Sequence, residues 1–147
     1  MDLPEYFTVW DSYSVFRPTG HVSLDRAVQM VTSAISFAHD QDIRKLLVNV
    51  TSLTGFEPPT FTARYYFIKE WAETSKGVVQ LAIVARPEMI DPDKFGVTVA
   101  VNNGLNGDVF ASEREALAWL LNEKQFSASL SDTGESSHPL VNQVHFF

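Results

Sequence analysis

The chain of 147 residues contains no cysteine and carries fewer basic than acidic side chains. The absence of cysteine excludes disulfide bonds, thiolate metal ligands and cysteine nucleophiles, and it suits a reducing compartment. The 11 lysine and arginine residues against 18 aspartate and glutamate residues give a net charge of −7. This is the wrong sign for a surface that follows a phosphate backbone, so nucleic acid is not an expected partner.

Long apolar runs are also absent. No stretch reaches the roughly 18 consecutive apolar residues that mark a membrane-spanning helix. The segment 1–5 is acidic and contains no apolar run, so we expect no signal peptide. Together these two absences predict a cytoplasmic protein without a membrane span.

Catalytic and metal-binding signatures are missing as well. The sequence has no G-x-S-x-G nucleophile motif, no P-loop and no G-x-G-x-x-G pattern. The histidines lack the spacing of a zinc or iron site, and they are His21, His39, His138 and His145. Because no pattern pairs an activated nucleophile with its base, we expect no enzyme activity, no metal and no cofactor.

The sequence does contain enough apolar material for one domain. Apolar residues make up 45% of the chain and aromatic residues 12%, and a chain of this length buries most of its unfolded surface. The composition becomes serine-rich after residue 122, which predicts a domain over 1–122 and a tail over 123–147. The apolar segment 141–147 is either a mobile terminus or lies in a groove or on a sheet edge of the same or a neighbouring subunit.

The first third of the chain predicts a β-hairpin and a helix. Residues 6–10 and 13–18 are aromatic and β-branched stretches on either side of a polar pair, which is typical of two antiparallel strands joined by a tight turn. Ser23 then precedes apolar residues that recur every three or four positions up to Asp40. This periodicity predicts a capped helix with one buried face.

The middle of the chain predicts a strand–helix–strand unit. Residues 45–50 and 78–85 are nearly continuous apolar runs of strand length, typical of parallel strands covered on both faces. Residues 60–75 between them indicate a long helix, and Gly77 suits the left-handed residue that ends a helix. A helix between two strands is the crossover that a parallel pair needs.

The segment 91–103 carries two conflicting signals. Asp91 and Pro92 favour a helix start, whereas the β-branched residues within 96–101 favour a strand. We predict a helix, because the chain needs a crossover before the short strand 108–110.

A last helix is predicted after Ser112, whose spacing to Glu115 matches a capping box. The complete set of elements predicts an α/β fold. It consists of a mixed, mostly parallel sheet with an N-terminal antiparallel hairpin and about four helices.

The loop 51–60 follows the predicted central strand. Open α/β sheets gather ligands at the carboxyl ends of their parallel strands, so this loop is the candidate binding region. Its polar side chains and the N-terminus of the next helix suit an anion or a partner, and the candidates are Thr51, Thr54, Glu57 and Thr60. Alternatively, Thr60 is only the helix cap, and the two prolines before it stiffen the entry.

The helix 60–75 is rich in aromatic residues. At roughly 100° per residue, its apolar side chains cover an arc of about 160°, wider than the stripe of about 100° that covers a sheet. The arc consists of Phe61, Tyr65, Phe67, Ile68, Trp71 and Ala72. The extra width indicates a wide core contact, a subunit interface or one wall of an apolar pocket, and Tyr65 and Trp71 are candidate binding residues. Arg64 lies at the edge of the arc and meets either an acidic group of a ligand or partner, or a nearby carboxylate of the chain.

The order of these elements resembles the STAS fold, and most closely its SpoIIAA-like branch, which is related to bacterial anti-sigma-factor antagonists. The likeness covers most of residues 6–121. It rests on the opening hairpin, the segment 20–23 that leads into a helix, the strands 45–50 and 80–85, and the strand-to-helix ending 109–120. It implies a regulatory domain in which a serine of the loop after the central strand is phosphorylated to switch partner binding.

The resemblance implies a difference in regulation. In place of the family's Asp-Ser-Ser-Gly-like motif, the corresponding stretch reads Glu57-Pro58-Pro59-Thr60, so the phosphorylated serine is missing. Some SpoIIAA-like proteins also resemble CRAL-TRIO lipid carriers in fold, which implies an apolar pocket beside the aromatic helix.

We therefore expect a non-enzymatic regulatory or protein-interaction module that uses the loop 51–60 and the exposed edge of the helix 60–75. The second hypothesis is a carrier of a small apolar or lipid-like ligand, in a pocket bordered by Phe61, Tyr65, Ile68 and Trp71. The third is an enzyme that acts through Glu57 or Asp91 at the strand ends. The wide apolar arc and the apolar segment 141–147 also predict a homodimer.

Overall fold

A five-stranded mixed sheet and a two-stranded sheet organise the fold, which a computed structural model describes for residues 2–121. The strands are β1 (Phe7–Val9), β2 (Ser14–Phe16), β3 (Gly20–His21), β4 (Lys45–Asn49), β5 (Leu53–Thr54), β6 (Gln80–Val84) and β7 (Gly107–Phe110). The helices are α1 (Leu24–Asp40), α2 (Phe61–Ser75), α3 (Phe95–Asn102) and α4 (Glu113–Leu120), and a short 3₁₀ turn covers Pro87–Met89.

The strand order in the larger sheet is β1-β2-β4-β6-β7. β1 and β2 form an antiparallel hairpin in which Thr8 lies opposite Val15, and β2, β4, β6 and β7 run parallel to one another. The helices between the parallel strands provide the crossovers that parallel pairing requires. The predicted α/β class, the N-terminal hairpin and the mostly parallel sheet are thereby confirmed.

Both faces of the sheet are covered. Leu46 and Val48 of β4 pack with side chains of α1, α2 and α3, whereas Leu47 packs with Ala116 and Leu120 of α4 on the other face. Successive side chains of a strand point to opposite faces, so an interior strand between two helix layers is apolar at every central position. This explains the nearly continuous apolar run of β4.

Three of the helices begin at the polar caps that the sequence predicts. The hydroxyl of each cap accepts a hydrogen bond from the backbone N–H three residues later, as seen for Ser23, Thr60 and Ser112. A cap of this kind contributes about 1 kcal/mol. α2 ends in two left-handed residues, Lys76 with a φ of 51° and Gly77 with a φ of 75°.

The segment 91–103 is a helix, as expected, but a shorter one. α3 begins at Phe95, and Asp91 lies outside it. The Asp91 side chain accepts hydrogen bonds from the backbone N–H groups of Asp93 and Phe95. Asp91 therefore closes the turn before the helix and does not begin the helix itself.

The serine-rich segment 123–147 lies outside the described residues. The tail, its apolar segment 141–147 and the homodimer that the tail would help to form stay predictions. Among residues 2–121, none of the helices combines the length and the apolarity that crossing a bilayer requires.

The two-stranded sheet depends on a close backbone approach at Gly55. β3 and β5 pair in parallel, and Gly55 follows β5 with a φ of 104°. A Cβ atom here would lie 2.7 Å from the carbonyl oxygen of Val22 and 2.8 Å from its nitrogen. We expect Gly55→Ala to lower the free energy of unfolding by about 2–3 kcal/mol in urea denaturation, because backbone strain adds to a clash.

Gly104→Ala is the matched control. Gly104 also has a positive φ, 86°, but a Cβ atom there would meet no other heavy atom of the described chain within 4 Å. Its cost should be about 1 kcal/mol, which is the cost of the backbone conformation alone. Equal losses for the two variants would contradict a tight contact at Gly55.

Candidate functional site

The loop between β4 and α2 turns at the carboxyl edge of the parallel sheet, as expected. β4 lies between β2 and β6, and the loop leaves it at Val50, whose backbone N–H donates to the carbonyl oxygen of Val84. Thr54 and Glu57 are exposed, whereas Leu53 is buried in the core. The loop is therefore anchored by an apolar side chain and presents polar ones.

Thr51 stabilises the first turn of the loop. Its backbone N–H and its hydroxyl both donate to Oδ1 of Asn49, at 2.9 and 2.7 Å, and its carbonyl oxygen accepts from Nη1 of Arg86 at 3.1 Å. Polar groups that are satisfied within the chain have little left to offer a ligand. Thr51 lies where the sequence predicts, and its bonds give it a structural role.

Asn49 connects the loop to the opposite face of the sheet. Its Nδ2 donates to Oε2 of Glu113 at 2.8 Å, and Arg17 donates to both carboxylate oxygens of Glu113, at 2.7 and 2.9 Å. The hydrogen bond from Arg17 is the main cause that lowers the pKa of Glu113, and Asn49 adds to it, whereas burial acts in the opposite direction. We call Arg17, Asn49 and Glu113 the edge cluster.

Sequence reasoning missed the edge cluster. Its three residues follow β2, end β4 and begin α4, so no local spacing links them. The one available signal is positional, because residues at the carboxyl ends of parallel strands meet at the same edge of a sheet.

The remaining loop candidates serve other contacts. Oγ1 of Thr54 lies 3.3 Å from Nδ1 of His21 in the small sheet. Oγ1 of Thr60 accepts the backbone N–H of Ala63 at 3.0 Å, so Thr60 is the cap of α2. Pro59 is buried just before it, which fits the stiffened entry that the sequence indicates. Glu57 is exposed.

α2 lies between α1 and α3 on one face of the sheet, and its wide apolar arc is mainly a core contact. Phe67, Ile68, Trp71 and Ala72 are buried, and Nε1 of Trp71 donates to Oγ1 of Thr32 in α1 at 3.1 Å. Trp71 is therefore a core residue, which corrects its expected place on a binding surface. Its burial follows from the central position of α2, which contacts the sheet and a helix on each side.

The first half of α2 carries aromatic side chains that are exposed to solvent and do not belong to the core. Phe61 is 64% exposed, Tyr65 38% and Tyr66 63%. The rings of Tyr65 and Tyr66 are 5.2 Å apart. We call these three residues the α2 contact surface.

Arg64 lies beside the α2 contact surface but is only 6% exposed. Its Cζ atom is 4.7 Å from the ring centroid of Phe61 and 5.5 Å from that of Phe95. Nη1 is 3.9 Å from Oδ2 of Asp91, and Nε and Nη1 have no hydrogen-bond partner among the described residues. Burial lowers the pKa of Arg64, and the nearby Asp91 carboxylate opposes this shift.

A cavity of about 30 Å³ lies between α2, α3 and the sheet. It is lined by Ile68 and Trp71 but not by Phe61 or Tyr65, so these four residues do not border one pocket. The volume holds about one or two water molecules and is far below the roughly 300 Å³ of a small ligand pocket. A lipid would require α2 and α3 to separate.

Replacing Glu113 by glutamine tests the edge cluster. Because folding lowers the pKa of Glu113 from its ordinary value of 4.5, the carboxylate stabilises the fold above that value, and the stabilisation is lost as the pH falls below it. Thermal denaturation from about pH 7 to about pH 3 should therefore show a smaller loss of stability for Glu113→Gln than for the wild-type chain. Glu73→Gln, on an exposed position of α2, should keep the wild-type profile; a flattened profile in that control would remove Glu113 as the cause.

Arg64→Met tests whether the buried arginine stabilises the fold. A buried N–H donor without a partner costs about 1–3 kcal/mol, whereas contact with aromatic rings contributes roughly 0.5–2 kcal/mol. We expect Arg64→Met to leave the free energy of unfolding unchanged or to raise it by about 1 kcal/mol in urea denaturation. Arg17→Met, which removes two bonds to Glu113, should lower it. A loss above about 2 kcal/mol in Arg64→Met would show that Arg64 is structural.

Among residues 2–121, no group of three or more histidine, aspartate or glutamate side chains is placed to hold a metal ion. No protein-family model and no curated protein matches the chain. The function of the chain is therefore inferred from the arrangement of its own residues.

Proposed function

We propose that the chain is a non-enzymatic regulatory or protein-interaction module that binds a protein partner through the α2 contact surface and the adjoining loop 51–60. The observation that carries this proposal is the exposure of Phe61 and Tyr66, at 64% and 63%, on a helix that is otherwise well packed. Aromatic side chains bury large areas and dominate interface energetics. Neighbouring exposed aromatic side chains are typical of surfaces that bind other proteins.

The hydrogen bonds that hold the loop 51–60 in place support the same proposal. The backbone N–H groups of Gly20 and Val22 donate to the carbonyl oxygens of Ser52 and Thr54, and Thr51 is bonded to two side chains. A surface that is fixed before binding loses less conformational entropy when a partner binds. The exposed residues of the loop are therefore suited to recognition.

The order of strands and helices supports a proposed relationship to SpoIIAA-like proteins of the STAS fold. In that family the loop after the central strand controls partner binding, and in this chain that loop exposes Thr54 and Glu57. The loop has no serine in its segment Glu57-Pro58-Pro59-Thr60. We therefore propose that serine phosphorylation at this segment does not switch the interaction.

The bonding at the carboxyl edge favours this proposal over an enzyme. Asn49, Thr51 and Glu113 use their side-chain oxygens and nitrogens on one another and on Arg17. Asp91 is engaged by the backbone at the start of α3. A closed network of this kind makes a site rigid. A lipid carrier is the weaker proposal, since the cavity beside α2 measures only about 30 Å³.

Retention of a partner from a lysate of the source organism tests the α2 contact surface. The double variant Phe61→Ser/Tyr66→Ser should retain the partner about tenfold less than the wild-type chain, because each aromatic anchor of an interface contributes more than about 1 kcal/mol. Proteins retained by the immobilised chain are quantified by mass spectrometry.

Val101→Ser is the matched control for this experiment. Val101 is a large apolar residue of α3 with a similar exposure, 59%, and its variant should retain the partner as the wild-type chain does. Val101→Ser should also keep the wild-type melting temperature, whereas Phe61→Ser/Tyr66→Ser should lower it slightly, because the contact of the Phe61 ring with Arg64 is lost. Circular dichroism should show that the double variant is still folded at the temperature of the experiment. A partner retained equally by the wild-type chain and the double variant would refute the assignment of this surface.

A further inference from the structure

The guanidinium of Arg64 is a buried cation, and part of its hydrogen-bonding capacity is unused among residues 2–121. The residue is 6% exposed, and neither Nε nor Nη1 has a partner within the described part of the chain. Buried polar groups are almost always hydrogen-bonded, and an exception in a native structure requires an explanation. Buried donors without partners lower the stability of a fold, and natural proteins often keep such destabilising groups at functional sites.

Asp91 does not complete the hydrogen bonding of Arg64. Its Oδ2 lies 3.9 Å from Nη1, beyond the roughly 3.2 Å of an N–H···O hydrogen bond. The two oxygens of Asp91 accept the backbone N–H groups of Asp93 and Phe95, at 3.0 and 3.1 Å. These bonds fix the carboxylate at the start of α3. Asp91 therefore leaves Nε and Nη1 without an acceptor among residues 2–121.

Phe61 covers the guanidinium. Its ring centroid lies 4.7 Å from Cζ of Arg64 and 5.1 Å from the ring of Phe95, yet Phe61 itself is 64% exposed. Phe61 is therefore an exposed side chain in contact with a buried cation. Phe61 begins α2 and Phe95 begins α3, so the guanidinium lies beside the first turns of two helices.

We propose that Arg64 binds a carboxylate that is admitted when the Phe61 side chain rotates away, with the two carboxylate oxygens accepting from Nε and the adjacent Nη2. The apolar part of the ligand packs on the α2 contact surface. This inference rests on the proposed function in one respect, because the carboxylate belongs to the molecule that binds that surface. The carboxylate is then an acidic side chain of the protein partner; a small aromatic acid presents the same chemistry and is the alternative that the experiment separates.

The charges around Arg64 favour a carboxylate over a phosphate. The planar guanidinium matches a planar carboxylate through two parallel N–H···O bonds. A phosphate dianion would bring a second negative charge close to Asp91, whose Oδ2 is 3.9 Å from Nη1, in a chain with a net charge of −7. A monoanion meets less repulsion at the same place.

Titration of the full chain with benzoate tests the site, and the neutral benzamide is the matched probe. Amide chemical shifts of residues 61–65 in isotope-labelled protein should change saturably with benzoate and stay constant with benzamide. Inorganic phosphate should bind more weakly than benzoate.

Variants of the two charged residues make the test specific. Arg64→Met should abolish the benzoate response. Arg64→Lys, which keeps the charge but not the planar fork, should weaken the affinity about tenfold. Asp91→Asn should strengthen it, because the competing anion is gone. Arg26→Met, on an exposed position of α1, should bind benzoate as the wild-type chain does.

Two blocked tripeptides separate the sources of the carboxylate. A Phe-Glu-Phe peptide that binds more tightly than benzoate, while Phe-Gln-Phe does not bind, supports an acidic protein partner at Arg64. Tighter binding of benzoate than of the glutamate peptide supports a small aromatic acid at the same site.

Equal responses to benzoate and benzamide, or an unchanged benzoate affinity in Arg64→Met, overturn the proposal. Failure of the carboxylate site is distinguishable from failure of the α2 contact surface. If Arg64→Met retains the lysate partner and shows wild-type benzoate binding, while Phe61→Ser/Tyr66→Ser loses the partner, the carboxylate site is refuted and the surface stands.

Discussion

The packing of α2 between α1 and α3 determines how the surface of this protein is divided. A helix that packs on the sheet and also has a neighbouring helix on each side buries a wide part of its circumference. Phe67 and Trp71 of α2 are buried in these contacts. At the first turns of α2 the coverage is incomplete, so Phe61 stays exposed while Arg64 is buried beneath it. The same packing that forms the core therefore leaves an aromatic surface with a cation under it.

A second constraint acts at the carboxyl edge of the sheet. Asn49 forms hydrogen bonds with Thr51 in the loop and with Glu113 at the start of α4. One face of the sheet is covered by α1, α2 and α3, and the other face is covered by α4. The edge cluster thus joins the two layers of helices through the end of a central strand. A polar network inside a partly buried region is strong only when its members are satisfied, and here the charged carboxylate receives bonds from both Arg17 and Asn49.

The sequence predicts the elements of this fold well, because their signals are local. The apolar run of β4 follows from its burial on both faces. The hydroxyls that begin α1, α2 and α4 follow from the backbone N–H groups of the first helical turn, which lie only a few residues away. The site is harder to predict. The burial of Arg64 depends on Phe95 of another helix, and the partner of Arg17 lies 96 positions along the chain. Periodicity predicts the apolar arc of α2, but only the arrangement of the helices shows which part of the arc is covered. For that reason the sequence alone predicts Trp71 at a surface that it does not reach.

The short ladder between β3 and β5 has a consequence for redesign of this protein. Its parallel register places Leu53 opposite Gly20, and Leu53 is 1% exposed. An extra residue between Val50 and Leu53 that moved the pairing by one position would turn the leucine away from the interior. Surface loops usually tolerate changes of length. In the loop 51–60 such tolerance is confined to the few residues around Glu57. A peptide epitope grafted at that point would be displayed, and it would also interrupt the loop that is proposed to contact the partner.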